Sequence, residues 1–256
     1  MTERPRVSRT PPRPLRRELR QEVYYSCPIC SNPLLTYHHI VPWRDEHHFR
    51  QQDMIALCYN HARMADSNAI SRATLYNLKA NPPKRRRVRD KFVIDDWSRF
   101  SIVLGEGMVR FEGCMTVLRV EGQPLLGFSR QFGRPALVVE LKDVNGRTLL
   151  KIDDNDWMVN VEDRWDCEVK GNQIHVRDQS RQYYVRYRID ARNSEVTMSF
   201  RLHSHGQDII ADHTGLWLCG FNMAFRHFRF TNMPVAFDLF KDEDGRWKGK
   251  INAPGD

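Results

Sequence analysis

Residues 27–66 read CPICSNPLLTYHHIVPWRDEHHFRQQDMIALCYNHARMAD, and the donors in this stretch are spaced as metal ligands. Two residues separate Cys27 from Cys30, and two separate Cys58 from His61. That gap lets both side chains of a pair reach one tetrahedral ion from a turn or a helix start, and thiolate with imidazole is the donor set that zinc prefers. The spacing therefore predicts a structural Zn2+ held by Cys27, Cys30, Cys58 and His61, in preference to free thiols. The block around it, Val23 to Leu78, is about 55 residues long, a size at which a domain usually needs a metal or disulfides to supplement its core. Residues 55–79, IALCYNHARMADSNAISRATLYNLK, are expected to be helical with a break near Ser67 and Asn68.

Outward from this block, composition divides the chain. Residues 1–91 hold 18 Lys/Arg against 8 Asp/Glu and residues 92–256 hold 22 against 24, so the whole excess behind the net charge of +8 lies in the first third. A polyanion would be attracted there. Residues 1–20 are rich in Arg and Pro and poor in apolar side chains, and are expected to be a disordered basic arm. Residues 21–80 form the zinc domain. Residues 81–91, NPPKRRRVRDK, read as a basic linker in which Lys84, Arg85, Arg86, Arg87 and Arg89 are candidate phosphate contacts or a solvated spacer.

From residue 92 to 256 the signals are strands. ALVVELKD, WMVNV, YYVRYRID and EVTMSFRL are short and rich in Val, Ile, Tyr and Phe, and turn pairs such as Asn145-Gly146 and Gly171-Asn172 separate them. An all-β domain follows, a sandwich or barrel by strand spacing, with a solenoid of stacked repeats left open. DDNDW at 153–157 and HSHG at 203–206 read as polar turns rather than cation sites, and FNMAFRHFRF at 221–230 as a segment buried against the β domain. No apolar run approaches the roughly 20 residues of a membrane span, and the N-terminal segment lacks the apolar core of a secretory signal. The expected setting is intracellular, cytoplasmic or nucleoid-associated, where six cysteines are not a disulfide set.

Between the ligand pairs lies YHHIVPWRDEHHF, residues 37–49. Adjacent histidines on a strand point to opposite faces, an odd use for packing residues. With CPIC before it and DMIALCYNHARMAD after it, HHIVPW resembles the HNH endonuclease family over residues 27–78. The resemblance implies a ββα-metal fold, so that the chain would be α+β: a small zinc-stabilised HNH domain followed by the all-β domain. It also implies hydrolysis of phosphodiester bonds in DNA with one divalent cation, Mg2+ or Mn2+. By the same resemblance His39 is the general base and His38 helps hold the cation. Asp66 is implied as a further cation ligand, one helical turn beyond the position where the family often places a histidine and this chain has Ala62.

Asp53 stands where the family usually has the Asn that pins the catalytic loop, and a carboxylate cannot donate the amide hydrogen bond. His61 takes the place of a fourth cysteine. An alternative registration makes His61 a catalytic ligand, but the ungapped reading keeps the family spacing from Cys58 to Asp66. His47 and His48 are further candidate ligands or residues of a solvated loop. Three functions stay in view: an HNH nuclease whose β domain recognises a partner, substrate or trigger; a degenerate HNH scaffold that keeps zinc and binds nucleic acid without cutting it; and an interaction protein in which the β domain does the main work and the zinc block anchors it. None involves a membrane.

Overall fold

The computed structural model describes residues 8–92, 100–110, 115–131, 134–162, 164–219, 223–231 and 233–251. They fall into two compact units: residues 1–88 with Glu168–Lys170, and residues 89–167 with 171–256.

Unit 1 is built on a two-stranded antiparallel ladder, β1 (Leu35–His39) with β2 (Met54–Cys58), in which His38 faces Ile55 and His39 faces Met54. Every residue of β2 is buried. Residues 55–58 are therefore strand, not the start of the expected helix, because the helix begins only where the apolar run ends. Helix α2 spans Tyr59–Asp66 with Cys58 as its N-cap, and its buried residues are Ala62 and Ala65. Asn68, at φ 60°, follows the helix end, and α3 (Arg72–Ala80) starts afresh from Ser71, whose hydroxyl accepts from the Thr74 amide at 3.1 Å. Such a cap is worth about 1 kcal/mol.

The basic arm departs from its expected disorder. Residues 1–7 lie outside the described residues, but Arg13–Glu22 form helix α1, with Pro in the first turn. Leu15, Leu19 and Val23 recur at the spacing of one helix face and join a core with Ile40, Met54, Ile55, Leu57 and Leu75. Arg20, also buried, donates to Tyr37 Oη and pairs with Glu168 of the same unit at 2.9 Å.

Unit 2 contains a sheet of eight strands, with residues 89–91 at one edge, and a sheet of ten. The end of the expected linker is thus a sheet edge, where Lys91 lies 3.5 Å from Asp156. Alternating burial along Tyr184–Asp190 and Glu195–Ser204 turns Val185, Tyr187, Ile189, Val196, Met198 and Phe200 inward. Many links are tight hairpins: Asp154-Asn155 and His205-Gly206 have positive φ at both positions, so DDNDW and HSHG are two-residue turns. Arg164 and Asp143 form an ion pair at 3.1 Å with side chains 0% and 2% exposed, and Arg164 is further satisfied by the carbonyls of Asn160 and Thr148.

The expected α+β class with a ββα-metal domain is overturned. The molecule is mostly β, 50% strand and 14% helix, with several sheets. Its described helices number three, of 10, 8 and 9 residues. The physical reason is the weight of unit 2, whose short period-two segments pair with their neighbours through tight turns and leave no apolar stripe of helical period to build on. No helix among the described residues is long and apolar enough to cross a membrane.

Candidate functional site

The four metal-ligand types of unit 1 converge. Cys27 and Cys30 lie on one turn, closed by the Ser31 amide donating to the Cys27 carbonyl and the Cys27 amide donating to that of Asn32, both at 2.9 Å. Cys58 ends β2 and His61 lies in the first turn of α2. Their ligand atoms all fall within 4.8 Å of one another. Cys30 Sγ is 3.6 Å from Cys58 Sγ, and His61 Nδ1 is 3.6 Å from Cys27 Sγ and 3.1 Å from Cys58 Sγ. A disulfide needs about 2.05 Å, so these thiols are not bonded. A tetrahedron with metal–sulfur bonds of about 2.3 Å and a metal–nitrogen bond of about 2.0 Å has edges of roughly 3.5 to 3.8 Å. The donor set and its spacing fit one four-coordinate ion.

The thiols differ. Burial opposes ionisation of Cys27, but hydrogen bonds from backbone amides of Cys58, Cys30 and Ile29 outweigh it and bring the thiol below its ordinary range. Burial pushes Cys58 up to about 11, so that without a cation it stays protonated. A bound ion would displace that proton.

His38, His39 and Asp66 line one cavity of about 550 Å3, with Arg9, Arg44, Arg63 and Arg72 also on its wall. His38 Nδ1 lies 3.4 Å from Asp66 Oδ1. Burial holds His38 below the usual imidazole range, with Asp66 opposing and Arg9 adding to the shift. His39 is brought down to about 4, first by burial and then by the neighbouring His48, so it is neutral at pH 7. It bonds the His48 backbone carbonyl, while its Nε2 is buried and has no partner among the described residues. By elimination the bond is made by Nδ1–H, which leaves the Nε2 lone pair unspent. Trp43 and His48 pack edge-on to the His39 ring at 5.1 and 5.3 Å, and Phe49 lies at 6.2 Å.

Other expected residues stand elsewhere. The Asp53 carboxylate accepts from Arg50 Nε at 2.6 Å and Tyr76 Oη at 2.9 Å and does not line the cavity. Its backbone carbonyl does hold the strand end, accepting from the Ile40 amide at 2.8 Å. Ala62 occupies the cavity wall. His47 stacks on Trp43 at 4.8 Å. His48 Nδ1 accepts from the Arg50 amide at 3.3 Å, so its Nε2 carries the proton donated to the Val41 carbonyl at 3.0 Å. With both nitrogens spent, it is not a ligand. Lys84, Arg86, Arg87 and Arg89 are exposed, Arg85 is half-buried, and none borders the cavity.

The four cavity arginines escaped the sequence reading. Arg63 alone carried a signal, three residues before Asp66 on one helix face. No family model, curated protein or solved structure matches the chain.

Proposed function

We propose that this chain is a metal-dependent endonuclease of the HNH kind, hydrolysing phosphodiester bonds in DNA. The observation that carries the reading is the meeting of His38, His39, Asp66 and four arginines on one cavity. A neutral imidazole with an unspent nitrogen is the form a general base requires, and guanidinium groups are the side chains best matched to phosphate. Zn2+ is the ion assigned to Cys27, Cys30, Cys58 and His61, where it ties the early turn to β2 and α2 and so holds the His39 strand in place. His38 and Asp66 would hold a Mg2+ or Mn2+ ion, which when bound supplies Lewis acidity to the phosphate and its leaving oxygen. Arg9, Arg44, Arg63 and Arg72 would seat the backbone anion, and His39 Nε2 would take the proton of the attacking water. The exposed Lys84, Arg86, Arg87 and Arg89 would add contacts that carry no base information. An intracellular setting, cytoplasmic or nucleoid-associated, belongs to this reading and suits thiols reserved for a metal.

A second reading, a non-cutting nucleic-acid-binding scaffold, is favoured by specific observations. His39 Nε2 is buried without a partner among the described residues, Ala62 lines the wall where a ligand would serve, and Asp53 is spent on Arg50 and Tyr76. Incubation of supercoiled plasmid with the protein and Mg2+ or Mn2+ separates the two. The nuclease reading expects nicking that falls on the order of 100-fold or more in His39→Ala. Binding without nicking by the unaltered protein would select the scaffold.

A further inference from the structure

The outer face of the ten-stranded sheet carries a row of side chains that the core does not use. Strands Gln173–Asp178, Tyr184–Asp190 and Glu195–Ser204 bury Val176, Val185 and Phe200, which turns the intervening residues outward. The antiparallel registers set Arg177 opposite Tyr184, Tyr184 opposite Arg201, Arg201 opposite Ile210 and Ile210 opposite Trp217. At about 4.8 Å between strands, the row crosses five strands in roughly 20 Å.

Both ends of the row carry an indole with a guanidinium over it. Arg177 and Arg181 lie 5.6 and 5.2 Å from the Trp165 ring centroid, and Arg226 lies 5.2 Å from that of Trp217. Trp165, Tyr184 and Trp217 are only half-buried, and Arg186 and Arg188 stand exposed in the rows alongside. Asp208 pairs with Arg201 at 2.7 Å and His203 at 2.8 Å, while Asp212 accepts from the neutral Thr214 hydroxyl and keeps its charge. With Arg177, Arg181, Arg186, Arg188 and Arg226 on or beside the row, the face is cationic and studded with flat rings.

We propose that this face binds single-stranded nucleic acid. Such a strand alternates an anion with a planar ring, and the row offers partners to both: guanidinium (Arg177), ring (Tyr184), guanidinium (Arg201), then Ile210 and a second ring (Trp217). A duplex hides its ring faces and an acidic peptide has none to stack, so neither makes use of Trp165, Tyr184 and Trp217. No residue of unit 1 takes part, so the inference stands apart from the nuclease reading.

The test is fluorescence anisotropy of the full chain with labelled 20-nucleotide oligothymidylate and, in parallel, oligouridylate, without added divalent cation. Weaker binding of either strand by Tyr184→Ala supports the proposal, and comparison of the two strands identifies the sugar. Tyr184→Ala is expected to weaken binding on the order of tenfold and Tyr184→Phe to restore it. Arg177→Gln is expected to weaken binding and flatten its salt dependence. Circular dichroism melts show whether each variant folds. Should Tyr184→Ala not fold, Trp217→Phe decides: quenching of tryptophan fluorescence by the oligonucleotide should be smaller in it than in the unaltered protein, whereas Trp43 on the unit 1 cavity contributes equally to both. Unchanged affinity in a folded Tyr184→Ala overturns the proposal. So do quenching that is unchanged in Trp217→Phe and a loss in Tyr184→Ala that is as large for a blunt duplex as for the single strand.

Discussion

At the scale of single residues, Asp208 shows how a surface carboxylate couples stability to pH. Burial alone would raise its pKa, but hydrogen bonds from His203 and Arg201 outweigh that and hold it below the usual carboxylate range. A group whose folded value lies below its unfolded value of about 4 contributes its full stabilisation above that pH. The contribution is lost as pH falls through the lower folded value. The stability gap between the wild type and Asp208→Asn, followed by thermal melts from pH 6 to pH 2, should therefore narrow in acid. A gap that widens in acid would contradict the assigned direction. In unit 1, Asp66 is 60% exposed and contributes little to the fold, so Asp66→Ala should leave the melting of the protein nearly unchanged. If Asp66 holds the catalytic cation, the same variant should raise the Mg2+ concentration needed for plasmid nicking about tenfold.

The metal knuckle and the tight hairpins make their predictions at the scale of elements. Removing the ion with a chelator, or replacing Cys27 by Ser, should remove stabilisation on the order of 10 kcal/mol from unit 1. Loss of the helical circular dichroism of α1, α2 and α3, and protease cleavage between residues 23 and 80, would register it. Metal analysis of the purified protein should return one zinc per chain, and a value near zero would remove the premise. In unit 2, Gly215 sits at φ 138°, and an added Cβ would lie 2.1 Å from the Phe225 carbonyl oxygen. Backbone cannot swing aside as a side chain can. Gly215→Ala should cost about 1–3 kcal/mol or more, read from urea unfolding.

At the scale of the whole molecule, the division into two units predicts two unfolding transitions. Chelation should abolish the one that carries the helical signal and spare the one that carries the strand signal, because the candidate ligands belong to residues 27–61 alone. Much of this organisation could be read along the chain. The ligand pairs are local, two residues apart, and spacing alone announces them; the same holds for the hairpin turns, where Asp154-Asn155 and His205-Gly206 supply residues that accept positive φ. Helix α1 was hidden because three apolar side chains in a basic segment look like solvated chain until β2 offers them a surface.

The cavity lay further from reach. Arg9, Arg44, Arg63 and Arg72 come from an arm, a loop and two helices, and Asp53 finds Tyr76 across 23 positions. Arginine is common on every surface, so nothing in its local context says which ones will converge. The overall class was misjudged for a related reason: a short cysteine and histidine motif is conspicuous, whereas the bulk of the chain lies in strands whose pairing gives the molecule its character. Local order along the backbone thus specified the ligand pairs, the turns and the charge partition, since neighbours in sequence interact whatever the rest of the chain does. The neutral His39 with its idle nitrogen, the arginine-lined cavity and the aromatic row on the outer sheet arise only when distant segments bury one another, because burial and register depend on partners far away in the chain.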